Sequence, residues 1–261
     1  MTSPLLVRWA GQADSRIRLI CFPHAGVGAS VYRPWVKLLP PAIELVVIQL
    51  PGRETRLREP PLRQLSAVIA AVLPALRSLR DKPYAFFGHS MGAVIAWGVA
   101  QALAAEGQPL PARLVLSGRR APGVPDRDPP LRHLSDERFV DEINRRYGGI
   151  PPQVAADRDI MALLLPGLRA DIAALETHEP EAGCPLDVPL TVLGGSEDER
   201  ASSTDLEAWR HLTTGTFNMK VFPGGHFYLN HHRDSVVSDV VRELAPWLPE
   251  TALSATREAL P

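Results

Sequence analysis

The chain has 261 residues, a formal net charge of −1, 45% hydrophobic residues and 22% charged ones, the balance of an ordinary globular protein with length for one α/β domain and an inserted subdomain. Its arginines are scattered and no basic block alternates with aromatics, so no nucleic-acid partner is expected. No apolar stretch approaches the ~18 residues that a bilayer span requires, and Met1 to Gly11 lacks the apolar core and cleavage site of a secretory signal, so the expected location is the cytoplasm with no membrane partner.

The first strand is expected over Arg16 to Phe22. It stops at Pro23-His24-Ala25-Gly26-Val27-Gly28-Ala29-Ser30, a loop of small residues whose backbone lies open to close approach. His24 is read as shaping that loop. Cys21 and Cys184 lie far apart, show neither metal nor redox spacing, and are expected as buried or partly buried thiols. Ile43 to Leu50 is nearly continuous in β-branched residues, which predicts a strand covered on both faces. Leu65, Val68, Ile69, Val72, Leu73 and Leu76 then form a 3.6-period stripe within a helix over Gln64 to Leu79, which Pro74 kinks or ends early.

Next comes Tyr84-Ala85-Phe86-Phe87, a buried strand, followed by Gly88-His89-Ser90-Met91-Gly92 and an apolar helix from Ala93 to Ala105, capped near Gly107. Strand, G-x-S-x-G and buried helix is the context of a nucleophile elbow, where serine sits at a strained turn and side chains at 88 and 92 would collide with their neighbours. Arg113 to Ser117 is another strand. From Ala121 to Pro189 the strand–helix alternation breaks down into a proline-rich opening and short helices over Asp136 to Tyr147 and Asp157 to Ala174. Too small to stand comfortably alone, this insertion between core strands reads as a lid.

Leu190 to Leu193 restarts the sheet and runs into Gly194-Gly195-Ser196-Glu197-Asp198-Glu199. A candidate helix near Asp205 to His211 precedes a strand ending at Lys220-Val221-Phe222. Gly224-Gly225-His226-Phe227 follows, then a last helix over Asp234 to Trp247 and a frayed tail beyond Pro249.

A serine hydroxyl needs a base, and the base needs a carboxylate to fix its tautomer. In the α/β-hydrolase fold the chain order is Ser, Asp or Glu, then His, on loops at the carboxyl ends of strands. That order selects Ser90, Asp198 and His226, with Glu197, Glu199 and Asp205 as rival carboxylates. The N–H groups of Ala25 and Met91 are the expected oxyanion donors. His231 and His232 fall too late and are read as surface residues, His133 and His178 fall in the insertion, and His89 packs beside the elbow. Zinc spacings are missing.

Four segments, Leu19-Ile20-Cys21-Phe22-Pro23-His24-Ala25-Gly26, Gln49-Leu50-Pro51-Gly52-Arg53-Glu54, Phe87-Gly88-His89-Ser90-Met91-Gly92-Ala93 and Gly224-Gly225-His226-Phe227, together resemble the type II thioesterases of modular polyketide and nonribosomal peptide synthetases. The resemblance spans the chain from first strand to last helix; F-P-H-A-G and P-G-R-E are its specific parts, since generic esterases share only the elbow and the late histidine. Val27 departs from it where many relatives have a third small residue, and the acidic loop around Asp198 is less regular than usual. The resemblance implies a single α/β-hydrolase domain with a lid at 121–189, a triad on Ser90, Asp198 and His226, and oxyanion amides on Ala25 and Met91. It further implies an enzyme that frees stalled acyl groups from acyl or peptidyl carrier proteins. No metal or cofactor is implied, because the phosphopantetheine arm belongs to the carrier. Arg53, Arg56 and Arg58 are read first as solvated surface charges and second as contacts to that acidic partner. Two alternatives are a general esterase or lipase acting on small oxygen esters and a catalytically silent protein that only binds carriers.

Overall fold

The structure is a computed structural model and describes residues 3–9, 14–178 and 183–249. Its elements in chain order are β1 (Leu6–Arg8), β2 (Ile17–Phe22), β3 (Ile43–Ile48), α1 (Leu65–Leu76), β4 (Tyr84–His89), α2 (Met91–Ala105) and β5 (Arg113–Ser117). There follow α3 (Asp136–Tyr147), α4 (Pro152–Ala156), α5 (Arg158–Glu176), β6 (Leu190–Gly195), α6 (Ser203–Glu207), β7 (Phe217–Phe222), α7 (Tyr228–His231) and α8 (Arg233–Glu243). Short 3₁₀ turns join several of them. The predicted tail beyond Pro249 lies outside the described residues.

The strands form one seven-stranded sheet in the order β1-β3-β2-β4-β5-β6-β7. Only β1 runs antiparallel, against β3; every other pair is parallel. The continuous apolar runs follow from this, because helices cover both faces of the parallel strands and β2, β3, β4 and β6 are buried at every position. Alternate residues feed two cores. Ile20, Phe22, Phe86 and Val192 pack with α1 and α2, while Leu19, Cys21, Phe87 and Leu193 pack with Trp35 and the valines of α8. A third cluster, with Phe139, Ile143, Leu168 and Ile172, lies within the insertion.

Local chemistry sets the boundaries. Pro74 sits in the last turn of α1, which gives way to a 3₁₀ turn at Arg77–Leu79. Ser135 precedes α3 and Gly148 ends it in the left-handed conformation, φ 67°. Asp157 caps α5 by accepting from the amides of Asp159 and Ile160. The chain order 3-2-4 around β2 reverses the direction of winding between β2 and β4. The crevice at the carboxyl ends of those two strands is where such a sheet binds ligands.

Candidate active site

The loop after β2 and the turn after β4 both open into that crevice. In β4 and β2, Gly88 is registered against Phe22 and Phe87 against Cys21, so the two loops leave the sheet side by side. Ser90 stands between β4 and α2 at φ 54° and ψ −115°, a conformation rare for any residue but glycine. The amide of Ser90 donates to Ser117 O at 2.8 Å and holds the turn. Glycine is required on both sides: a Cβ on Gly88 would lie 2.2 Å from Gly92 O, and one on Gly92 would lie 1.9 Å from Phe22 O.

His226 and Asp198 come from loops after β7 and β6. His226 Nδ1 donates to Asp198 Oδ2 at 2.7 Å, and Asp198 Oδ1 accepts from the Arg200 amide at 2.9 Å. Ser90, His226 and Asp198 are 9%, 6% and 5% exposed, so the pair operates away from bulk water. With Nδ1 donating, Nε2 of neutral His226 is the free acceptor; it is buried without a hydrogen-bond partner. The serine hydroxyl and Nε2 form no hydrogen bond in this state, which is common before substrate tightens such sites. The order Ser, Asp, His along the chain therefore converges in space. Asp205 does not join it: it closes a capping box with Ser202 and pairs with Arg127.

Ser90 and His226 line a cavity of ≈ 220 Å³, together with His24, Ala25, Tyr147 and Leu164. Among the described residues the Ala25 amide donates to no protein acceptor, and Met91 opens α2, where an amide has no intrahelical partner. Ala25 lines the cavity with Ser90 and Met91 follows the serine directly at the helix start, which makes these two amides the candidate oxyanion donors.

Three imidazoles crowd the serine. His89 is fully buried, 5.0 Å from the His226 ring between centroids, and its Nδ1 meets Ser117 Oγ at 2.8 Å, which in turn meets Tyr228 OH at 2.6 Å. Burial holds the His89 pKa well below the ordinary value, with His226 and His24 adding to the effect. Burial likewise depresses His24 to about 4, and its Nδ1–H donates to Ala25 O at 3.1 Å. Both are neutral near pH 7.

Several residues depart from expectation. Arg53 is buried against Asp171 and is no solvated surface charge, and Cys184 is exposed. Two further residues, to which the sequence pattern assigns no role, stand near the site: Tyr147, whose ring lies 5.0 Å from that of His226, and Asp171. Asp171 had a visible signal: an acid at 171 among Leu168, Ile172 and Leu175 interrupts an apolar stripe and needs a buried partner. Among the described residues no group of three or more metal-binding side chains gathers, and no helix is long and apolar enough to cross a membrane.

A mostly parallel sheet with a serine on a strained strand–helix turn, facing an Asp–His pair, defines an α/β-hydrolase built for acyl transfer. Within that class the chain belongs to the thioesterase family, whose thioesterase-domain model matches residues 17–244. It is 36% identical over 230 residues to the gramicidin S biosynthesis protein GrsT of Aneurinibacillus migulanus, covering 88% of this chain and 90% of that one. It is likewise 36% identical over 229 residues to the thioesterase PikA5 of Streptomyces venezuelae, covering 87% and 80%. The solved type II thioesterase BorB from the borrelidin biosynthetic cluster superposes with a TM-score of 0.85 at 33% identity, covering 94% of this chain and 99% of that one.

Proposed function

We propose that this thioesterase hydrolyses stalled or aberrant acyl groups from the phosphopantetheine thioesters of acyl or peptidyl carrier proteins in polyketide or nonribosomal peptide assembly. Ser90 attacks the thioester carbonyl while His226 Nε2 takes the hydroxyl proton. Asp198 steadies the resulting imidazolium, and the Ala25 and Met91 amides hold the oxyanion. Thiolate departs readily and takes its proton from His226, leaving an acyl-serine. His226 then removes a proton from water as it attacks the acyl-serine, and returns that proton to Ser90 Oγ as the acyl–oxygen bond breaks and the acid leaves.

The observation that carries this reading is the Asp198–His226 hydrogen bond beside a cavity that Ser90 and His226 both line. The names of the relatives favour biosynthetic assembly lines over general ester hydrolysis. Within the insertion, α3 and α5 serve as the lid, since they line the cavity with Ser90 through Ile143, Tyr147, Leu164 and Leu168. The protein acts in the cytoplasm on acyl or peptidyl carrier domains, with no cofactor of its own.

The test compares acyl release from a short-acyl phosphopantetheinyl carrier protein, the matching free thioester and a small oxygen ester. Faster, Ser90-dependent release from the carrier is expected. Cleavage of the oxygen ester alone would remove the carrier assignment and leave a general esterase.

A further inference from the structure

One buried ion pair joins the insertion to the P-G-R-E turn, and its carboxylate also reaches the loop that carries Ala25. Arg53 and Asp171, 6% and 2% exposed at their side chains, meet as a two-pronged pair: Nη1 donates to Oδ2 at 2.7 Å and Nη2 to Oδ1 at 2.8 Å. The arginine reaches further, from Nη1 to Val27 O and from Nε to Pro51 O, each at 3.3 Å. Asp171 Oδ2 also accepts the Gly26 amide at 2.8 Å. Three segments distant in sequence, the loop after β2, the P-G-R-E turn and helix α5, are thereby tied at one point. Buried ion pairs seldom add stability over an apolar replacement of the same volume, so the geometry that this one fixes is the more informative consequence.

That geometry bears on the oxyanion hole. The peptide between Ala25 and Gly26 is planar and is gripped at both ends: Asp171 takes its N–H at 2.8 Å, and the His24 imidazole donates to its carbonyl at 3.1 Å. With Gly26 at φ 81°, its amide turns toward α5 and is spent there, while the Ala25 amide is left free beside Ser90. Leu168, one turn before Asp171, packs so closely that a Cβ on Gly26 would lie 2.9 Å from its Cδ1.

We propose that Asp171, locked by Arg53, is a positioning residue that aims the Ala25 amide at the oxyanion, so that helix α5 belongs to the catalytic scaffold as well as to the substrate cavity. This rests on the proposed role of Ser90 as nucleophile and Ala25 as oxyanion donor. The pair touches no reacting atom; it acts through the Ala25–Gly26 peptide.

The test uses Asp171→Leu, Arg53→Met and the double variant in the full chain. It reads Tm, kcat and KM on a short-acyl free thioester, and the rate at which a fluorophosphonate labels Ser90. The phosphonate relies on the same nucleophile and oxyanion donors but not on the natural substrate, so its result stands whether or not carrier thioesters are cleaved. Removing both charges together is expected to raise Tm above that of either single variant. kcat and labelling should nevertheless stay about 10- to 100-fold low in the double variant, with KM little changed, a partial version of losing one oxyanion donor. Asp171→Asn guards against misfolding of the leucine variants: it keeps the volume but offers one acceptor oxygen where three N–H donors now share two, and its labelling should also slow. Recovery of labelling in step with Tm, or wild-type labelling by Asp171→Asn, would overturn the proposal.

Discussion

Phe22 and Gly88 face each other across adjacent parallel strands, and each stands a step or two before a loop that carries half of the site. Beyond Phe22 come Pro23, His24 and Ala25; beyond Gly88 come His89, Ser90 and Met91. Sheet register therefore sets how far Ser90 stands from Ala25, while Met91 follows the serine directly in the chain. Carbonyl O of Phe22 also lies where a side chain on residue 92 would point. Gly92→Ala is accordingly expected to cost about 3 kcal/mol or more, since β2 is held by ladder bonds on both sides and α2 is packed against it. Thermal or urea unfolding checks this, and a Tm equal to wild type would show that the two elements are not held as tightly as the register implies.

The Asp198–His226 bond makes a graded prediction. Ser90→Ala should lower turnover on the order of 10⁶-fold, and Asp198→Asn about 10⁴-fold, because an amide at that position no longer fixes the Nδ1–H tautomer. Asp205→Asn should leave kcat within about threefold while lowering Tm modestly, because Asp205 caps α6 instead of touching His226. Steady-state kinetics on one thioester separates the three.

Much of this arrangement is legible in the sequence, and the exceptions share a cause. The strands over Ile17–Phe22, Ile43–Ile48 and Arg113–Ser117 announce themselves as apolar runs, and α3 ends at a left-handed glycine with bounds that match the periodic pattern. The elbow is visible because its strain demands glycines at fixed places. By contrast β1 is three residues long and gains its identity only by pairing with Leu6 opposite Ile48. The nine-residue 3₁₀ segment at Ala29–Lys37 has Pro34 inside it and no helical cap signal. Arg53 reads as a surface charge because its partner lies on a helix 118 residues away, and no local pattern carries that information.

The depressed imidazoles predict acid sensitivity. Between pH of about 4 and 6.5 the His24 side chain binds a proton in the unfolded chain and not in the folded one. Stability therefore rises with pH across that window and is lost as pH falls through it. His89, lowered by the same burial, adds to the slope. Tm measured from pH 4 to 7 should fall on acidification, and His24→Asn, which keeps a donor for Ala25 O, should show the shallower dependence. Equal slopes would mean that His24 is not kept neutral by burial.

The cavity wall predicts chain-length control. Met161 and Leu164 on the first half of α5 line the cavity with Ser90, ahead of the buried stretch that begins at Gly167. Met161→Trp should raise KM for long acyl thioesters by about tenfold and leave acetyl thioesters nearly unchanged, because removing room for a few methylenes costs on the order of 1–3 kcal/mol. A uniform change across chain lengths would place the acyl group elsewhere.

If Ser90 takes the acyl group from a carrier protein, that group must stand on the serine for part of each turnover. Rapid quenching of wild-type enzyme with an acyl-loaded carrier, followed by mass spectrometry of the peptide that contains Ser90, tests it most directly. A transient mass increase equal to the acyl group is expected on that serine, gone in Ser90→Ala along with release of the acid. Release of acid from the carrier by Ser90→Ala at the wild-type rate, with no acyl mass on Ser90 of the wild type, would contradict it.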